Sequence, residues 1–129
     1  MDIMNLVYET LIADPFIYEQ AGKEDRIKSY EYPKSADVDN PFIVIDPIDV
    51  PTPSDFADDT WIKFDCLIQI DVWTRDRKKS IAIANKIRDV MWNEFGFNQN
   101  SGPQEFDNVV FRDARRYRGK LYREDFDSL

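Results

Sequence analysis

WIKFDCLIQIDVWTRD, residues 61–76, sorts into two faces when every second residue is read. Ile62, Phe64, Cys66, Ile68, Ile70 and Val72 form one face, and all are apolar. Trp61, Lys63, Asp65, Leu67, Gln69, Asp71 and Trp73 form the other, which mixes charge, amide and two tryptophans. Strict alternation of this kind marks a strand with one side buried. Thirteen extended residues span roughly 40 Å, about the full width of a one-domain chain of this length. The strand is about twice the usual length, and its second face needs a cover.

The flanking sequence supplies helices for the apolar face. After the strand, Thr74 or Asp76 can cap a helix that runs to Glu94 or Phe95. Its stripe is Ile83, Ala84, Ile87, Val90, Met91 and Phe95, and Gly96 is placed to end it. At the N-terminus, Asp2 can cap a helix with Ile3, Leu6, Val7 and Leu11 on one side, stopping near Asp14 before Pro15. Residues 26–32 and 41–46 read as short strands, and residues 35–40 as a polar loop between them. PIDVPTPSDFADDT, residues 47–60, carries three prolines and four aspartates, which predicts a long acidic loop, either functional or a plain surface tip. Residues 98–103 read as a turn-rich linker. Residues 109–117 read as a strand, Arg118-Gly119 as a tight turn, residues 120–123 as a return strand and residues 124–129 as a loose tail. The expected fold is a single α+β domain over residues 1–129. It is a two-layer sandwich, with a mainly antiparallel sheet of about four strands and two helices packed on one face.

Composition narrows the function. The chain has 129 residues, 25 acidic against 17 basic, and no histidine. Lacking histidine, it cannot build Ser–His or Cys–His nucleophile pairs or His-ligated zinc. Its four glycines form no Gly-rich phosphate loop. No cofactor is expected. The net charge of −8 is a poor match for sequence-specific DNA binding. No apolar run approaches the ~20 residues of a membrane span, and MDIMNLVYETL lacks the basic start of a secretory signal. The one cysteine, Cys66, falls on the apolar strand face and reads as inert core, consistent with a reducing cytoplasm.

Two charge constellations remain. Asp46, Asp65 and Asp71 lie on or near strands ahead of Lys78 and Lys79, a set that a metal-dependent nuclease could use. Asp65 and Asp71, six positions apart on one strand face, stand roughly 20 Å from each other and cannot share a metal. FRDARRYRGKLYR, residues 111–123, holds Arg112, Arg115, Arg116, Arg118, Lys120 and Arg123 with Tyr117 and Tyr122 interleaved. It fits a protein interface, internal pairing with the chain's own acids, or a DNA-facing patch. An acidic segment and a basic one on a single chain also suit head-to-tail contact between identical subunits, of the kind that closes into rings.

The succession DNPFIVIDPIDV, WIKFDCLIQIDVWTRDRKKSIAIANKIRDVMW and DARRYRGKLYR resembles the tail terminator, or tail-to-head joining, proteins of long-tailed bacteriophages (siphoviruses). The likeness covers residues 41–123 and the N-terminal helix, and is one of topology and texture without a catalytic signature. Head–tail connectors, stoppers and minor capsid proteins of the phage neck are similar in size and form the alternative. The resemblance implies a non-enzymatic virion protein assembled in the host cytoplasm. It would form a hexameric ring that caps the tail tube protein and docks to the head connector or stopper. DNA would pass through the ring without specific contact, and no membrane would be involved. The expected interface positions are Arg112, Arg115, Arg116, Tyr117, Arg118, Lys120, Tyr122 and Arg123; Asp49, Asp55, Asp58 and Asp59; and Trp61, Leu67 and Trp73 on the outer strand face.

Overall fold

The computed structural model describes residues 3–33, 38–57, 60–107 and 109–122, with backbone only at 56, 57, 60–62 and 107. Helix α1 (Ile3–Ile12) buries Ile3, Met4, Val7 and Leu11, while Leu6 is half-buried. Its expected cap, Asp2, lies outside the described residues. The first helix ends ahead of Pro15 as expected, but helical structure resumes at once. Asp14 accepts hydrogen bonds from the Phe16 and Ile17 amides at 3.0 Å and starts a second helix, α2 (Pro15–Gln20). Proline fits the first helical position, where its missing N–H leaves nothing unsatisfied. The Asp-Pro pair could have been read as a helix start.

Six strands follow: β1 (Ile27–Ser29), β2 (Phe42–Ala57), β3 (Thr60–Thr74), β4 (Asn98–Asn100), β5 (Gln104–Asp107) and β6 (Val110–Tyr122). Helix α3 (Arg77–Phe95) separates β3 from β4. The fold is α+β with a mixed sheet of order β1-β2-β3-β6-β4, to which β5 adds by pairing with β6. The β1–β2 pairing is parallel and the others are antiparallel. The sheet is therefore larger than the four strands expected, and three helices replace two.

The long strand and the helix after it form as their sequences predict. Asp76 caps α3 through the Lys78 and Lys79 amides. Gly96, at φ 69°, ends it with its N–H on the carbonyls of Met91 and Trp92. Only glycine takes this left-handed turn without cost. Ile43 pairs with Val72, Ile45 with Ile70 and Tyr117 with Ile68. That face joins α1, α2 and the Ile83–Ile87–Met91 stripe of α3 in one core. Each fully buried aliphatic side chain there contributes roughly 1.5–3 kcal/mol.

Three expectations about extended structure are overturned. Residues 47–57 are not a loop: they form the outer half of β2, paired with β3 out to Ala57 and Thr60. Among the described residues β1 flanks β2 at Ile43–Ile45 and the rest of β2 is an edge, where a proline's missing N–H breaks no ladder on that side. Register shifts between Pro47 and Asp49, and between Asp49 and Thr52, absorb the prolines, which also guard the edge against stray pairing. Arg118-Gly119 is not a turn: β6 continues through it to Tyr122. A Cβ on Gly119 would stand 2.2 Å from Phe97 Cδ1, so the glycine makes room for a buried ring. Residues 98–103 are not wholly linker, because Asn98–Asn100 is β4.

Candidate interaction face

Strand register decides which polar residues meet. On the side of the sheet away from the core, β3 presents Lys63, Asp65, Leu67, Gln69, Asp71 and Trp73. Beside them on β6 stand Tyr122, Lys120, Arg118, Arg116, Ala114 and Arg112. On β2, Asp46 pairs with Gln69 and Val44 with Asp71.

At the centre of this face is Asp71, with no exposed surface. Gln69 Nε2 donates to its Oδ1 at 2.9 Å. Arg112 donates to Oδ2 through Nε at 3.0 Å and Nη2 at 2.9 Å. Burial pushes the Asp71 carboxyl above the ordinary range, against the pull of Gln69 and Arg112, and the nearby Asp46 adds to the rise. Burial works to lower the Arg112 pKa, but Asp71 and then Glu105 outweigh it, so the guanidinium is held more firmly charged. Arg112 also donates to Glu105 at 3.2 Å and lies 5.2 Å over the Trp73 ring. Tyr32 meets Trp73 edge-on at 6.0 Å and donates its hydroxyl to Asp46 at 2.8 Å, which raises the tyrosine pKa. Trp73 is thus half-buried against the chain's own Arg112 and Tyr32.

The remaining basic residues extend this face. Arg116 donates to Gln69 at 3.1 Å, Arg118 to Asp65 at 3.4 Å, and Lys120 to Asp55 at 3.0 Å. Lys63 lies 4.8 Å over the exposed Tyr122 ring. Leu67 is half-buried, and Asp49 is exposed on β2. The basic segment and the acidic strand therefore pair within one chain, as at Lys120–Asp55, wherever register aligns them.

Two expected interface residues are not on this face at all. Tyr117 points into the core and is 1% exposed, because β6 runs unbroken and its odd positions face the helices. Arg115 shares that side, where it donates to Asp113 at 2.8 Å and 3.1 Å, to Asn85 at 2.9 Å and to Gln99 at 3.1 Å. Trp61 lies in β3, but only its backbone is described; Asp58, Asp59 and Arg123 lie outside the described residues. Tyr32, Asp46 and Gln69 also belong to the face, although none is among the expected interface positions: alternation alone puts Gln69 on this side of β3, and Asp46 enters the sequence reading only with the nuclease set. Tyr32 sits in an irregular segment whose reach no periodicity encodes, and placing Asp46 beside Gln69 needed the β2–β3 register.

Asp46 and Asp71 do come near each other, but Asp71 is buried and doubly engaged by Arg112. Among the described residues, no three acidic or cysteine side chains gather where a metal ion could be held. Cys66 is 1% exposed; burial, with the charge of Asp65 second, pushes its thiol up to about 12. A thiol of this kind should resist a disulfide-exchange reagent at pH 8 in the folded chain and react fully in denaturant. Because its folded pKa exceeds the unfolded one, stability should decline as pH rises above about 8.5, where only the unfolded thiol ionises. Among the described residues, no helix is long and apolar enough to cross a membrane. No protein-family model matches the chain, and no curated protein matches it significantly.

Proposed function

We propose that this chain is a non-enzymatic assembly protein that works as a ring of identical subunits, in the manner of the phage tail terminators it resembles. In that role the ring ends a tail tube and presents a docking surface to the head connector, with DNA passing through. We read the fold as two layers, in which the helices close one face of the sheet and leave the other for partners. The observation that carries the proposal is that second face. It is broad, carries no helix among the described residues and is built from Arg112, Arg116, Arg118, Trp73, Tyr32 and Tyr122 among carboxylates. Arginine, tyrosine and tryptophan are the residues enriched in protein interfaces, where they supply area and paired hydrogen bonds at modest entropic cost. A hexamer inside the virion follows from the resemblance, as does assembly in the host cytoplasm.

The test is sedimentation and light scattering over rising concentration, alone and with purified tail tubes. A mass at a multiple of 15.3 kDa, or shortened tubes capped at one end, is the expected result. A chain that stays at 15.3 kDa and leaves tube growth unchanged would refute the reading.

A further inference from the structure

A small pocket of about 190 Å³ opens between the first turns of α3 and the β5–β6 hairpin. This is below the ~300–1,000 Å³ of small-molecule sites, and suits one aliphatic side chain. Ile81, Phe106 and Phe111 form its apolar wall; Phe106 and Phe111 stack at 4.6 Å, and Phe106 remains 61% exposed. Glu105, Arg112 and Asp113 also line the pocket, but they are already bonded to one another or to Gln104 and Arg115. Arg77 on the rim is exposed, and no side-chain partner is described for it or for the adjacent Lys78 and Lys79. Three cations without a partner among the described residues stand out in a chain of net charge −8. They also lie at the positive end of a helix, where cations are disfavoured. The pocket thus offers an apolar wall beside a cation in need of an anion.

The chain presents the complement elsewhere. At the two register shifts of β2, Ile48, Asp49 and Val50 lie exposed on the edge. Ile48 is 37% and Val50 80% exposed, and Asp49 has no described partner. Asp49 lies opposite Leu67, and the pocket's Phe111 opposite Thr74. Seven strand positions separate the two levels, roughly 23 Å, so the two features do not meet within one copy. Resting on the assembly reading above, we propose that the pocket receives the Ile48–Asp49–Val50 edge of a second copy. An aliphatic side chain would lie against Phe106, and Asp49 would pair with the Arg77 cluster. The two surfaces differ, so the contact is head-to-tail, the type that propagates into a ring when its rotation closes.

A charge swap tests this, read as the concentration for half-assembly under the conditions in which the wild type forms its ring. Asp49→Lys and Arg77→Glu should each raise that concentration at least ~10-fold, and the two together should restore it to within ~3-fold of wild type. Circular dichroism melts should match wild type, since neither side chain has a described bond within the chain. Assembly in the wild type with silent single variants, or without rescue in the double, overturns the pocket assignment and leaves the assembly reading standing. A wild type that never assembles overturns both.

Discussion

Arg112→Met should lower stability by about 3–5 kcal/mol at pH 7, the cost of stripping the partner from a buried charge. Asp71 has no exposed surface, and the Arg112 side chain is 21% exposed, so water can do little for the carboxylate left behind. Gln69 would be its remaining described side-chain donor. The pH dependence has a definite sign. Burial already raises the folded Asp71 pKa, and losing Arg112 removes two of the influences that hold it down. A group whose folded pKa lies above its unfolded value of about 3.9 binds more protons folded than unfolded, so stability falls as pH rises through that window. The penalty should therefore be largest at neutral pH and shrink as Asp71 protonates. Urea midpoints at pH 7 and pH 5 for variant and wild type will measure it. Arg112→Met combined with Asp71→Asn should recover much of the loss, because no buried charge remains. A penalty under about 1 kcal/mol at both pH values, as for an exposed ion pair, would show that the centre of the sheet face is not held by this contact.

Phe97→Ala should cost about 3–5 kcal/mol, because it empties the site of a fully buried ring. Gly119→Ala should cost about 1–3 kcal/mol by overpacking, since the new Cβ would overlap that same ring. The two changes address one space, so they should not add. In the Phe97→Ala background the added methyl has room, and Gly119→Ala should be close to neutral or favourable there. Chemical denaturation of all four proteins forms the cycle. Additive costs would place Gly119 away from Phe97, as a turn between separate strands would have done.

Much of the core was legible because its signals are local and periodic. The alternation in residues 61–73 and the Ile83–Ile87–Met91 spacing each require one buried side, whatever the partner. Asp76 and Gly96 bracket α3 because capping depends on backbone groups within a turn of the cap. The extension of β2 through three prolines was not legible. Proline and aspartate are poor strand formers in isolation, and β3 as a template, together with an unpaired edge, overrules that preference. Gly119 misled for a related reason: glycine serves a turn or a close approach equally well, and only the position of Phe97 selects between them.

The candidate face divides along the same line. From sequence alone, residues 111–123 were basic and the far face of β3 was mixed, and both statements hold. Which guanidinium meets which carboxylate depends on register, and a one-residue shift moves a side chain to the opposite face. Register sent Arg115 and Tyr117 inward, set Arg112 on Asp71, and brought Tyr32 and Asp46 to cover what the long strand had left open. The sequence by itself determined the elements with a strong period and sound caps. The tertiary structure alone decided the partners across the sheet, because those contacts join residues 41 and 47 positions apart that no local pattern relates.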